Sequence, residues 1–403
     1  MSTYLMPDFI RKFRCVADAC DDNCCHGWKV YVDKATFQKY RSCGDMDFGN
    51  ELREKTARIH DAATGSQYAE FVMSKDGNCP FFNDKGLCRI QLVMDEDMLP
   101  LTCKRYPHII NSIDGVLEVT AQLSCPVITR AVMTPAEPMS FSFASLDRHL
   151  PLNNSFNPSE QLNNEKPERF FTELRKFGIS ILQNRAYTVP ERLVLLGVFF
   201  NQLSEEGDSN NIPLLIENTR KQHGNVSETK QQLSIIQAVP SVQIKLLKLI
   251  SDHKNKASSN KYQDIQQSAL RGLGYIAGAS EEQILDNYIS GIELYVKPFF
   301  SEHGHMIENV LVYEYFLMMM PFGSFETVLD AYAYLIVLYG LIKFFMAGVA
   351  REKGYMDVQI TQSIVQSIAR EILHNEHLIK QVIHTMQKND LFTLAYMTIL
   401  VMY

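Results

Sequence analysis

The run Phe13-Arg14-Cys15-Val16-Ala17-Asp18-Ala19-Cys20-Asp21-Asp22-Asn23-Cys24-Cys25-His26-Gly27-Trp28 gathers four cysteines into one short stretch. Four more follow in Cys79-Pro80-Phe81-Phe82, Cys88-Arg89-Ile90, Cys103-Lys104-Arg105-Tyr106-Pro107 and Ser124-Cys125-Pro126, and the ninth is Cys43. Nothing after Cys125 carries a thiol. This asymmetry predicts a mainly α fold in which a small cysteine-rich metal-binding domain, residues 1–133, packs on a larger all-α domain, residues 168–403.

Around that stretch the local signals are mixed. Asp33 is placed to cap a short helix carrying Phe37 and Tyr40 on one side. Asn83-Asp84-Lys85-Gly86 reads as a turn that brings Cys79 and Cys88 together, a geometry that metal sites use. Asp114-Gly115 separates Ile109, Ile110 and Ile113 from the alternating Leu117, Val119 and Ala121. That is a β-hairpin signal, with the second strand leading back to Cys125. Residues 134–167 shift to Pro, Ser, Asn and Glu, and read as a linker or surface excursion.

Beyond residue 168 the period is helical. Pro190 stands at a first helical position. Ser280-Glu281-Glu282-Gln283 is a capping box before the stripe Ile284, Tyr288, Ile292 and Val296. Polar breaks fall at 204–211 and 251–261. The apolar run from Ala331 to Ile342 is too short for a membrane span, which needs roughly 20 residues, and is expected as a buried helix. Met318 to Met320 reads as core or a malleable protein-binding surface, with core preferred. Gly272-Leu273-Gly274-Tyr275-Ile276-Ala277-Gly278 follows a helical rather than a strand pattern, so it is expected as a helix end rather than a nucleotide turn.

Composition bounds the function. A chain of 403 residues suggests two or three units at about 150 residues each. A net charge of −7 argues against nucleic-acid binding, which rests on neutralising phosphates. The first residues lack a positive, apolar secretory leader, so a cytoplasmic location is expected, and no transmembrane segment. In a reducing compartment, clustered cysteines point to metal or redox chemistry rather than disulfides. Cys43 stands apart as a spectator.

The eight remaining thiols, Cys15, Cys20, Cys24, Cys25, Cys79, Cys88, Cys103 and Cys125, suit zinc or an iron–sulfur cluster, since soft thiolates hold either in sets of four. Adjacent Cys24 and Cys25 point in different directions, which a larger cluster or two metals tolerate better than one zinc ion. His26 and His108 flank cysteine motifs as candidate bases, metal ligands or partners of thiolates. Trp28 and Tyr31 would stack on an adenine, cover a cluster or pack in the small domain. Arg105, beside Lys104, would bind a carboxylate or stabilise thiolate.

The opening run resembles that of the flagellin lysine N-methylase family, within a wider group of cysteine-rich zinc- or iron-chelating proteins. The later cysteine pieces are similar too, as is Glu308-Asn309-Val310-Leu311-Val312-Tyr313 before Pro321-Phe322-Gly323. The resemblance implies methyl transfer from S-adenosylmethionine to lysines of flagellin in the bacterial cytoplasm, dependent on an iron–sulfur cluster, with 4Fe-4S favoured over zinc. Cys20-x3-Cys24-Cys25 departs from the Cys-x3-Cys-x2-Cys of radical enzymes using that cofactor. Lysine must lose a proton before attacking an electrophilic methyl, so a base is needed, and His26, His108 and Glu308 are the candidates. The rival expectation is a non-enzymatic zinc or iron–sulfur module for binding proteins.

Overall fold

The computed structural model describes residues 3–44, 47–60, 64–146, 151–158, 166–206, 208–252, 259–373, 376–388 and 390–402. It is mainly helical, with two small sheets. The strands are β1 (Thr3–Pro7), β2 (Tyr31–Val32), β3 (Thr56–Arg58), β4 (Ala69–Phe71), β5 (His108–Ile113), β6 (Val116–Ala121), β7 (Phe141–Ser145) and β8 (Asn154–Phe156).

The expected hairpin is β5–β6, in register from His108 opposite Ala121 to Ile113 opposite Val116. Asp114 and Gly115 both take positive φ, 47° and 79°. A two-residue hairpin turn of matching twist requires this, and Asp-Gly supplies it. The hairpin is the middle of a five-stranded sheet ordered β7-β1-β6-β5-β8. Both edge strands come from the segment expected as a linker, which thus contributes regular structure; Asn163 to Glu165 lie outside the described residues.

The cores show what the hairpin serves. A small core holds Val30, Val32, Tyr40, Phe48, Leu52, Phe71, Phe81, Ile90 and Leu99, under the sheet β2-β4-β3. Cys25, Cys88 and Cys103 pack against its edge. The hairpin residues Ile110, Val119 and Ala121, with Tyr4, Met6 and the following helix residues Ile128 and Val132, join the large core of the helical body instead. Residues on both sides of position 133 therefore share one core.

Two buried contacts fasten the sheet. Arg175 donates bidentately to Glu118 of β6 at 2.8 Å twice, with its guanidinium 3.8 Å from the Phe316 ring centroid. The Tyr313 hydroxyl accepts from the Ala121 N–H at 2.6 Å and donates to its carbonyl.

Helix boundaries follow their caps. Asp33 accepts from the Thr36 N–H at 2.9 Å and opens Lys34–Ser42. Ser280 accepts from Gln283 N–H and opens Glu281–Gly291. Thr188 with Glu191 forms a capping box ahead of Pro190. The expected buried helix extends to Val328–Lys353 and runs through the middle of the body; it is long and apolar enough to cross a membrane, yet its apolar window is wholly buried in protein. Met319 and Met320 are buried as well. Gly274 ends the helix Asn260–Leu273 in the left-handed conformation, so the glycine-rich run is a helix terminus.

Candidate functional site

The cysteines come together from loops and helix starts. The turn at Asn83 to Gly86 closes as expected: the Asn83 side chain accepts from the N–H groups of Lys85 and Leu87, and Asn83 and Leu87 pair through the backbone. Cys79 and Cys88 stand on its two arms. Cys79 N–H donates to the Cys25 carbonyl at 2.8 Å, tying the first cysteine run to this turn. Cys103 sits in the short helix Leu101–Arg105, and Cys125 immediately precedes the helix Pro126–Met133.

Two neighbourhoods result. Cys24 lies close enough for its charge to be felt by Cys25, Cys79, Cys88 and Cys103, and Cys79 and Cys103 also adjoin Cys88. Cys15, Cys20 and Cys125 form a second group, and Cys24 also reaches Cys20. All nine thiols are free.

Burial pushes Cys79 and Cys125 up to about 11 and raises Cys20, Cys88 and Cys103, because a thiolate without a counter-charge is costly away from water. The Cys24–Cys25 hydrogen bond lowers Cys24 to about 7 and raises Cys25. Among the described residues, no three His, Cys, Asp or Glu side chains already stand in a metal-holding arrangement. In type and number the thiols are those a soft metal takes, but they do not stand in ligating geometry.

The other expected site residues divide. His26 Nδ1 lies 2.9 Å from Asn78 Oδ1, beside the cysteines. The Trp28 indole N–H donates to the Cys24 carbonyl, and its ring leans on Tyr106 at 5.4 Å, so Trp28 covers the first cysteine run. Tyr31 lies in β2, where its carbonyl accepts from the Thr102 hydroxyl. Arg105 reaches the Leu152 carbonyl at 3.5 Å, and burial lowers its pKa. Lys104 donates to the Asp97 carbonyl. His108 is buried at the start of β5, edge-on to Phe13 at 5.2 Å. Glu308 lies in the helical body, where Arg192 at 2.6 Å and Arg185 at 2.9 Å hold its carboxylate. That pairing engages both oxygens.

What the sequence did not single out is the clamp on the cysteine run. Asp22 receives Arg370 and, at 2.7 Å, Gln366 Nε2, which also donates to the Ser124 carbonyl at 2.9 Å. Arg370 further donates to the carbonyls of Asn23 and His26. Asp21 pairs with Arg130 at 3.3 Å and Lys261 at 3.8 Å. Arg370 lies in a π turn, Ala369–Leu373, that continues the helix Val358–Ile368; such irregular turns are frequent at functional sites. Two signals were available. Asp21-Asp22 within a cysteine run demands cationic partners, and Arg370-Glu371 is the first charged pair after the uncharged stretch 358–369.

A helical body gripping a thiol-lined loop defines a cysteine-rich helical protein. Residues 175–400, which include Gln366 and Arg370, match the family described as the FliB lysine N-methylase C-terminal domain. The chain belongs to this lysine N-methylase family. It is 22% identical over 388 residues to the lysine-N-methylase of Salmonella typhimurium and, equally, to that of Salmonella choleraesuis, covering 94% of each chain. It is also 28% identical over 160 residues to the flagellar biosynthetic protein FliU of Salmonella muenchen, a match covering 39% of this chain and 94% of that one. No solved structure matches.

Proposed function

We propose that this chain transfers methyl groups from S-adenosylmethionine to lysine side chains of flagellin in the bacterial cytoplasm, with a thiolate-held iron–sulfur cluster as a second cofactor. The observation that carries the reading is the family match over 175–400, because the matched region contains the clamp that positions the cysteine run. The names of the similar proteins, lysine-N-methylase and a flagellar protein, support lysine and flagellin as acceptor.

Four of the five thiols Cys24, Cys25, Cys79, Cys88 and Cys103 would hold the cluster, and Cys24 also adjoins the second group. A bound cluster supplies a Lewis-acidic or redox centre that a sulfonium cofactor can meet. The chain's own work is acid–base and positional. A free lysine is protonated at neutral pH, with a pKa of about 10.4. His26 is the base this arrangement favours: when Nδ1–H donates to Asn78, Nε2 keeps its lone pair beside the cysteine run. Trp28 and Tyr106 form the ring wall over that run and would shield it from water.

The test is incubation of anaerobically purified protein with flagellin and methyl-labelled S-adenosylmethionine. Label on flagellin lysine is expected, with loss in Cys88→Ser that stays folded. A fully metallated protein that transfers nothing would leave a metal-binding interaction module in its place.

A further inference from the structure

Far along the clamp helix from the cysteine run lies a cavity of about 620 Å³ that the proposed chemistry does not use. One wall is irregular helix: the π turn Ile292–Val296 contributes Leu294 and Tyr295, and the next turns add Pro298, Phe299, Glu302 and His303. At His303 the helix Lys297–Leu317 breaks to φ −121° and ψ 19°. The facing wall is the loop from Gly354 to Asp357 and the start of Val358–Ile368. Two local departures from α geometry in one wall expose side chains that a regular helix would keep apart.

The lining chemistry selects a cation. The rings of Tyr295, Phe299 and Tyr355 line it together with Glu302, whose carboxylate also lies 3.9 Å from His303 Nε2, and Asp357, and among the described residues no lysine or arginine does. Aromatic faces beside carboxylates attract an ammonium group. S-adenosylmethionine also carries a cation, but its own carboxylate would meet Asp357, which already occupies the helix start by accepting from the Ile360 N–H at 2.7 Å. The rim favours a macromolecule: Leu294 is 61% and Tyr355 53% exposed, an apolar border suited to a protein surface.

From Val358 to Arg370 the helix rises roughly 18 Å at about 1.5 Å per residue. A side chain in the cavity is therefore not the one at the cysteine run. We propose that the cavity is a docking site for a lysine of the protein substrate other than the one being methylated, so that one lysine anchors flagellin while another is presented to the cysteine lobe. This rests on the flagellin reading above.

The experiment measures binding of fluorescently labelled flagellin monomer to the full chain, alongside steady-state kinetics and S-adenosylmethionine affinity, for wild type, Tyr355→Ala and Glu302→Gln. Both positions are exposed and stand outside the thiol machinery. Each substitution is expected to weaken flagellin binding about three- to fivefold and to raise KM by the same factor, with kcat, cofactor affinity and the unfolding midpoint unchanged. Flagellin with acetylated lysines should bind wild type no better than native flagellin binds the variants. Unchanged flagellin affinity in the variants, or no binding to wild type, overturns the proposal; a fall in cofactor affinity overturns it in favour of a cofactor pocket. Lysine-dependent binding that the variants lose, in a protein that transfers no methyl, would uphold the docking site and remove the catalytic reading instead.

Discussion

Arg370 holds three acceptors of the cysteine run at once: the Asp22 carboxylate and the carbonyls of Asn23 and His26. Its side chain and that of Asp22 are only 11% and 12% exposed. Removing one partner of such a pair leaves a buried charge, which costs on the order of 3–5 kcal/mol. Arg370→Met should therefore lower stability by about that amount in urea unfolding and release iron on desalting. Arg370→Lys should recover little, because an ammonium group cannot reproduce the planar fork. At His26 the expected effect is kinetic. His26→Gln should reduce kcat on the order of 10²-fold or more and leave the metal content intact. Normal kcat in that variant would remove His26 as the base. The residues at this scale were only half legible: thiols cluster visibly in sequence, whereas Arg370 is more than 340 positions from Asp22 and no local pattern pairs them.

At the scale of elements, β6 is where the sheet meets the helices. Glu118 and Arg175 are buried and mutually bidentate, so Glu118→Ala should destabilise the chain by about 3–5 kcal/mol, measured by denaturant midpoint. The pair Glu118→Leu with Arg175→Met should recover much of that loss, since the desolvation cost of both charges disappears. The hairpin itself was readable, because Asp114-Gly115 and the alternation of Leu117, Val119 and Ala121 are local signals. The capping residues Asp33 and Ser280 were readable for the same reason. The partnership of the hairpin was not. Its apolar face suits either core, and only the tertiary path through Tyr313 and Arg175 assigns it to the helical body. The strands β7 and β8 were hidden too, since edge strands tolerate the polar, proline-bearing composition that also marks a linker.

Across the whole molecule, the central body carries an ionisable group whose cost depends on pH. Burial raises Glu314 to about 7 from the ordinary carboxylate range, with the Tyr334 hydroxyl donating to it at 2.7 Å. Between about pH 4.5 and 7 the folded state then binds more protons than the unfolded one, so stability falls as pH rises through that window. Glu314→Gln should thus be more stable than wild type above pH 7, by up to about 3 kcal/mol, and the difference should vanish towards pH 4.5. Thermal unfolding across that range checks it, and a pH-independent difference would contradict it. The same body supplies the clamp, so the cysteine-rich lobe and the helical core are expected to unfold together.

The proposed cluster ties these scales together, and the most direct measurement is methyl transfer to flagellin lysine as a function of metal occupancy. Protein reconstituted anaerobically to graded iron and sulfide contents, and in parallel with zinc alone, would be assayed with labelled S-adenosylmethionine. The rate should be proportional to iron–sulfur content and absent with zinc alone. A full rate in the iron-free, zinc-loaded protein would contradict that dependence.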